Sequence, residues 1–353
     1  MMNITYIVPE LNKNGGIQKF AESIYTGLKN ELDIKMLDWE NDLNLIVKGV
    51  LRCSPARVGS FLYSHMFSTH FKKKYKLTDN DLIHFWHPEP AMAFLDKKYI
   101  VSCHGMEILQ ENVKSFREVM YPRVLNEAIV IHVNSNYTKN LVLRFDVPEE
   151  KVKVINPPID YGKLASQNKI YKDKIVIGTL ARFNRRKNVL NIIKALNIFK
   201  ERYNPNFVYY LAGDGANKRR ILEELSKAKF EWKYFGEISE TRKIKEFYPS
   251  LDVFVMPTLE LPTDVEGFGI VYLEANAYGI PVVASRTGGV PDAVKEGVSG
   301  VFADPTNPED IAAKIFEVLE DKGKYFWSAR NWAKRFDIKI IAKEFAKMYE
   351  EVI

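Results

Sequence analysis

The chain has 353 residues, enough for two ordinary domains. Hydrophobic residues make up 46% of it, yet no apolar run approaches the ~18–20 residues of a membrane helix, and the opening Met1–Pro9 reads as a strand, not a secretion signal. The net charge of +6 is local: the stretch 43–78 holds Lys48, Arg52, Arg57, Lys72, Lys73, Lys74 and Lys76 and no acid, which argues against a generally basic protein.

Apolar strand-like runs follow one another along the chain. In the first half they are Ile4–Val8, Ile34–Trp39, Leu82–Trp86, Tyr99–Cys103, Ile129–Asn134 and Val152–Ile155. In the second half they are Ile175–Leu180, Phe207–Ala212, Trp232–Phe235, Val253–Met256, Val282–Ser285 and Val301–Phe302. Helical stretches separate most of them, and this alternation predicts parallel α/β sheets. Near-continuous apolar strands fit sheets covered on both faces. The alternation restarts after Asn156-Pro157-Pro158-Ile159-Asp160, and the polar stretch 166–173 that follows marks the best boundary. The C-terminal segment from about Tyr325 is helical and carries more aromatic surface than a free tail would. Cys53 and Cys103 are the only cysteines, so no disulfide framework or cysteine-rich metal site is expected, and a reducing cytoplasm is the default location.

The chemistry concentrates in Glu266-Gly267-Phe268-Gly269-Ile270-Val271-Tyr272-Leu273-Glu274. Glu266 sits in a loop after the strand that ends at Met256, and Glu274 lies about two turns into the following helix. Ligands of open parallel sheets bind at the carboxyl ends of strands, and a helix start offers free N–H groups to a phosphate. Gly267 and Gly269 let the backbone approach such a group. Two carboxylates flanking a phosphate suit the hydroxyls at either end of a nucleotide sugar. After Ile175–Leu180 come Arg182, Arg185, Arg186 and Lys187, four cations in six residues that suit a diphosphate once set beside Glu266.

Gly15-Gly16 opens a helix after the first strand, without the G-x-G-x-x-G spacing of a dinucleotide fingerprint. His104-Gly105 ends a strand, where a histidine can meet a sugar hydroxyl; His84 and His87 lack that context. Gly213-Asp214-Gly215 is an isolated glycine turn of the same weak kind as Gly15-Gly16. Asp79-Asn80-Asp81 is a D-x-D triplet, but its place just before a strand reads as turn chemistry, and no metal site is expected.

Taken in order, these motifs resemble glycosyltransferase family 4, the retaining enzymes of the GT-B fold. The set is Gly15-Gly16-Ile17-Gln18, His104-Gly105, Asn134-Ser135, Asn156-Pro157-Pro158-Ile159-Asp160, Arg182 with Lys187, Ala212–Gly215, Phe235–Ile238, the Glu266…Glu274 pair, and Gly279…Pro281 through Gly288-Gly289 to Pro291. The resemblance implies an α/β protein with two Rossmann-like, doubly wound domains facing across a cleft. It puts residues 1–162 on the acceptor side, together with a helix of about 335–353 crossing back to it, and residues 163–334 on the nucleotide-sugar side. It implies a hexosyltransferase-type activity that retains anomeric configuration, needs no metal and uses no cofactor beyond the sugar donor.

The resemblance also implies roles. Glu274 binds ribose hydroxyls; Glu266 binds donor-sugar hydroxyls and, with His104, serves catalysis. Backbone N–H groups of Phe268, Gly269, Ile270 and Val271 hold the diphosphate with Arg182, Lys187 and Gly16, and Ile238 borders the base. Two departures stand out. Residues 257–265 run about five longer than is usual in the family, which brings Glu260 or Asp264 within reach of the donor sugar. Ala181 and Asn188 replace customary glycines, which implies a less mobile loop.

The resemblance implies a glycan or a lipid-linked hydroxyl as acceptor. The basic stretch 43–78 interleaves its cations with Leu45, Ile46, Val50, Phe61, Leu62, Met66 and Phe71, and it admits three readings. A solvated face is the plain one, an anionic membrane surface at the inner face the next, and nucleic acid the last. Another GT-B chemistry, such as sugar-nucleotide epimerisation, stays as the alternative activity.

Overall fold

A computed structural model describes residues 3–11, 15–39, 81–110 and 116–352. The basic stretch 43–78, with Asp79 and Asn80, lies outside the described residues. The chain divides into two compact units, one of Met1–Pro158 with Ile338–Ile353 and one of Ile159–Asp337. The division falls a few residues from the boundaries read from the sequence.

Unit 1 is built on the parallel strands β1 (Asn3–Val8), β2 (Asp33–Asp38), β3 (Leu82–Phe85), β4 (Tyr99–Cys103), β5 (Val130–Val133) and β6 (Val152–Val154), in the spatial order β2-β1-β3-β4-β5-β6. β3, β4 and β5 are buried at every position, as strands with a layer on each face must be. Helix α1 (Gly16–Leu28) turns Phe20, Ala21, Ile24 and Leu28 inward, an i, i+1, i+4, i+8 stripe. Helix α2 (Phe116–Glu127) precedes β5, and α3 (Asn136–Leu143) follows it. Ser135 caps α3 by accepting from the Thr138 amide at 3.2 Å.

The last helix of unit 1 comes from the far end of the chain. Residues Ile338–Glu350, called α9 below, bury Ile341, Ala342, Phe345, Met348 and Tyr349 against α1. Gly27 makes this approach possible: a Cβ there would stand 2.7 Å from the Cβ of Ala342. The resulting core is aromatic, with Tyr6, Phe20, Trp86, Phe345 and Tyr349 packed around His84 and His132.

Those two histidines belong to a buried chain of hydrogen bonds. Its links are Tyr6 Oη to Tyr349 Oη at 2.7 Å, Tyr349 Oη to His84 Nδ1 at 2.8 Å, His84 Nε2 to Ser102 Oγ at 2.7 Å, Ser102 Oγ to His132 Nδ1 at 2.7 Å and His132 Nε2 to the Ile155 carbonyl at 2.9 Å. A carbonyl only accepts, so His132 Nε2 carries the hydrogen and Nδ1 accepts from Ser102. Ser102 then accepts from His84 Nε2, His84 Nδ1 accepts from Tyr349, and Tyr349 accepts from Tyr6. One boundary condition at Ile155 sets the direction of every donor, with both imidazoles neutral. Burial first, then the neighbouring histidines, push His84 well below its ordinary range; burial takes His132 down to about 3.

Unit 2 holds β7 (Ile175–Leu180), β8 (Phe207–Ala212), β9 (Glu231–Tyr234), β10 (Val253–Val255), β11 (Val282–Ala284) and β12 (Gly300–Phe302), in the order β12-β11-β10-β7-β8-β9 and again parallel. Helices α4 (Val189–Tyr203), α5 (Lys218–Leu225), α6 (Ile270–Ala277), α7 (Pro308–Glu320) and α8 (Lys322–Lys334) connect and cover them. The order reverses between β7 and β10, which are sheet neighbours through Val253 and Ile177. That reversal is a topological switch point, where the loops leaving two adjacent strands diverge and open a crevice.

Candidate functional site

The loops that leave β7 and β10 at the switch point carry the clustered charge. The first is 181–188 and the second 256–269. They join through Glu266, whose Oε2 accepts from Lys187 Nζ at 2.5 Å and from Arg186 Nη1. Burial alone would raise the Glu266 carboxyl, but Lys187 and then Arg186 hold it below the ordinary carboxylate range. Burial pushes Lys187 down, with Glu266 opposing and Arg186 adding to the push. Such an ammonium gains from a further anion placed beside it. Among the described residues Oε1 of Glu266 has no hydrogen-bond partner. Arg182 is exposed, and its side chain likewise has no partner among the described residues.

The backbone of both loops is fixed by glycines elsewhere. Gly289 donates its amide to the Glu266 carbonyl at 2.8 Å, and Gly288 has φ +52°. Gly213 and Gly215, read above as a weak glycine turn, serve packing: a Cβ on Gly213 would collide with the Ala181 carbonyl, and one on Gly215 would stand 2.8 Å from the Phe183 amide. Phe183 in turn donates to the Asp214 carbonyl at 2.7 Å. Asn188 occupies its customary-glycine position at φ 58° and uses its side chain as a clamp, donating to the carbonyls of Pro257 at 3.0 Å and Pro305 at 2.7 Å.

Helix α6 starts at Gly269, whose φ of +97° few side chains tolerate; a Cβ there would meet the Tyr272 ring at 2.5 Å. Phe268 is buried against Phe336, so the α6 start is anchored from below. No acid stands in the first turn of α6 to compete for its free amides. Glu274 is half-buried on this helix, and its two oxygens accept from Lys243 Nζ at 2.6 Å and Tyr248 Oη at 2.7 Å. Sequence reasoning missed Lys243 and Tyr248. Both lie about thirty residues away on the helical stretch 240–250 that follows Ile238, and nothing local marks them. Ile238 packs on the same core cluster as Tyr248.

In unit 1, Gly16 is exposed at the start of α1, and a Cβ there would meet nothing within 4 Å. His104 lies face-on to Trp86, with ring planes 13° apart, and donates from Nε2 to the Trp86 carbonyl at 3.1 Å. Burial and then His87 lower its pKa to about 3 against the pull of that carbonyl. The ring is therefore neutral at pH 7, with Nδ1 as an acceptor. Asp81 stands at the head of β3; no group of three His, Cys, Asp or Glu able to hold a metal ion occurs among the described residues. A cavity of about 790 Å³ sits at the opposite, amino ends of β7, β10 and β11, lined by the 165–175 segment and Gly279–Pro281. Its Lys169 is engaged by the Leu251 carbonyl, and the clustered charge lies at the other end of the sheet.

The family described as glycosyl transferases group 1 matches residues 160–335, and that described as glycosyltransferase family 4 matches 35–163. An uncharacterized glycosyltransferase of Methanocaldococcus jannaschii is 30% identical over 277 residues, covering 71% of this chain and 69% of the relative. The chain belongs to glycosyltransferase family 4. It is similar, at 28% over 262 residues, to the GDP-mannose-dependent alpha-(1-6)-phosphatidylinositol monomannoside mannosyltransferase of Mycolicibacterium smegmatis, covering 68% of this chain and 67% of that one. Among solved structures, sucrose-phosphate synthase from Thermosynechococcus elongatus shares the fold with a TM-score of 0.76 at 18% identity, covering 100% of this chain and 99% of that one. A complex of Anabaena HepE with UDP and glucose does so with a TM-score of 0.73 at 18% identity, over 99% and 100%. This family-4 chain is thus a glycosyltransferase with the GT-B type of α/β domain.

Proposed function

We propose that the protein moves a hexose from a nucleotide-diphosphate sugar to an acceptor hydroxyl, with retention at the anomeric carbon and without a metal. The observation that carries this reading is the junction of Lys187 with Glu266 at 2.5 Å where the loops after β7 and β10 diverge. A cation there faces a diphosphate, and a carboxylate with one open oxygen faces a sugar. The family-4 relatives and the complex of a similar fold with UDP and glucose support a nucleotide sugar as donor.

Cleavage of the anomeric C–O bond puts positive charge on the sugar ring and negative charge on the leaving diphosphate. Arg182, Lys187 and the free amides of Phe268, Gly269, Ile270 and Val271 stabilise the diphosphate. Glu266 accepts hydrogen bonds from hydroxyls of the sugar. Glu274, oriented by Lys243 and Tyr248, takes the ribose hydroxyls, and Ile238 borders the base. The acceptor oxygen bonds to the anomeric carbon on the face the diphosphate leaves, and a leaving phosphate oxygen takes the acceptor proton. The cations neutralise the leaving group, so no metal enters the step.

The deciding experiment is a thermal-shift and hydrolysis screen of UDP-, GDP- and ADP-sugars. Turnover of none of them, with no shift by any nucleoside diphosphate, sinks the reading. On the acceptor side, the stretch 43–78 and the lipid named in the mycobacterial relative support a lipid-linked acceptor at the membrane surface. No described helix is long and apolar enough to cross a membrane. Co-sedimentation with anionic vesicles that falls with salt and on Lys72/Lys73/Lys74→Glu tests this. Absence of binding at low salt leaves a soluble glycan as acceptor.

A further inference from the structure

The segment 257–265 joins the charged cluster through the pairing of Asp264 with Arg186. Asp264 Oδ1 accepts from Arg186 Nε at 2.8 Å, and Oδ2 accepts from Asn184 Nδ2 at 3.3 Å. Glu260 is turned the other way, accepting from the Gly288 amide at 3.2 Å. The main chain closes the segment: Leu261 and Asp264 exchange amide–carbonyl bonds at 3.0 and 3.2 Å, and Leu259 donates to the Arg186 carbonyl at 2.8 Å. Arg186 is thus held along its backbone by Leu259 and at one edge of its guanidinium by Asp264. Its other edge, Nη1, bears on Glu266 Oε2. The fork geometry that a guanidinium alone offers allows this bridging of two carboxylates.

The charges that face Glu266 are Lys187 and Arg186; Asp264 faces it through Arg186, and the nearby Tyr272 hydroxyl is committed to the Met256 carbonyl at 2.6 Å. With Glu266 and Lys187 alone, an incoming diphosphate would compete with Glu266 for the ammonium. A carboxylate with side-chain exposure of 13% would then lose its only cation and either take up a proton or swing.

We propose that Arg186 and Asp264 are positioning residues that keep Glu266 ionised and its Oε1 aimed while Lys187 turns to the diphosphate. This rests on the donor-site reading above and adds a division of labour to it. Lys187 serves the leaving group, Arg186 serves the carboxylate, and the extended 257–265 segment supplies the acid that keeps Arg186 from joining Lys187 on the phosphates. Asn184 belongs to the same device. It donates to Asp264 and accepts the Lys187 amide at 3.1 Å, so one side chain spaces the two cations.

The test uses Arg186→Gln, Asp264→Asn, the double variant and Lys187→Ala. Affinity for UDP, GDP and ADP is measured by calorimetry, and hydrolysis is followed with the better donor of UDP-glucose and GDP-mannose. Arg186→Gln is expected to leave nucleoside diphosphate affinity within about twofold while kcat falls about 30-fold, the factor carried by one charge-assisted hydrogen bond. The acid limb of the kcat profile should move to higher pH, because Glu266 has lost a cation. Asp264→Asn should also lower kcat, because an Arg186 freed of its acid is drawn to the phosphates, and the double variant should be no worse than Arg186→Gln. Where Arg186→Gln melts below the assay temperature, Arg186→Lys replaces it; a lysine reaches one carboxylate and not both, so kcat should still fall.

A nucleoside diphosphate affinity lost as in Lys187→Ala would make Arg186 a phosphate cation and overturn the proposal. An unmoved acid limb, or additive effects in the double variant, would overturn it as well. Full hydrolysis by both Glu266→Gln and Lys187→Ala is a different failure, that of the donor-site reading itself.

Discussion

The amide of Gly289 meets the carbonyl oxygen of Glu266 at 2.8 Å. The glycine pair after β11 therefore helps to set the position of the loop that carries the Glu266 carboxylate. Gly288, one residue earlier, has φ +52°, and a Cβ on it would collide with that same carbonyl oxygen.

Gly288→Ala is expected to cost about 1–3 kcal/mol of stability through its backbone conformation and to displace Glu266. Urea melts and donor hydrolysis measure the two effects. A variant with wild-type kcat would show that the Glu266 carbonyl is not held by this turn.

Glu274→Gln should weaken nucleoside diphosphate binding by the ~1.5–3 kcal/mol of a charge-assisted hydrogen bond, and Tyr248→Phe by a smaller amount in the same direction. Calorimetry with UDP, GDP and ADP reads both. Unchanged binding of all three in Glu274→Gln removes the ribose role from Glu274.

Transfer activity should survive EDTA. A complete loss, reversed by adding a divalent cation, would return the Asp79/Asp81 triplet to consideration and show that Arg182 and Lys187 do not suffice for the leaving group.

The buried histidines make stability fall on the acid side. His84 and His132 have folded pKa values below the ordinary ~6.5, so the unfolded chain binds more protons than the folded one in the window beneath that value. Their stabilisation is complete above pH ~6.5 and is lost as pH falls toward the folded values, at ~1.4 kcal/mol per pH unit for each ring. Urea melts at pH 7.5, 6.0 and 5.0 follow it. His132→Asn should flatten the slope by one proton, and an unchanged slope would show that its ring charges freely in the native state.

All twelve described strands lie within a residue of the runs read from the sequence; the interior ones are apolar because both of their faces are covered, whereas the edge strands β2 and β9 are largely exposed. Glu266, Glu274 and Lys187 were legible for a related reason: each lies within a short segment whose spacing is fixed by a strand end or a helix turn. The partners were not. Arg186 and Asp264 stand 78 positions apart, and Tyr248 and Glu274 stand 26 apart, so only the order of strands brings them together. His84 lies in an apolar strand without local context, and nothing nearby in sequence marks Ser102 or Tyr349 as its partners. Gly213 and Gly215 show the opposite error, since a glycine required by a neighbouring backbone looks the same in sequence as one required by a phosphate.

Tyr349 stands between Tyr6 and His84 in the polarised chain of unit 1, and it arrives on α9. Translation delivers Tyr6 early and Tyr349 only after the whole of 159–337 has emerged. At ~5–20 residues per second, the nascent first unit waits ten seconds or more on the order of its own synthesis for the helix that seals its aromatic core. The second unit, contiguous in sequence, has every element it needs before then. The unit that starts first therefore finishes last, and Phe20, Trp86 and His132 pass through translation with one wall of their core missing.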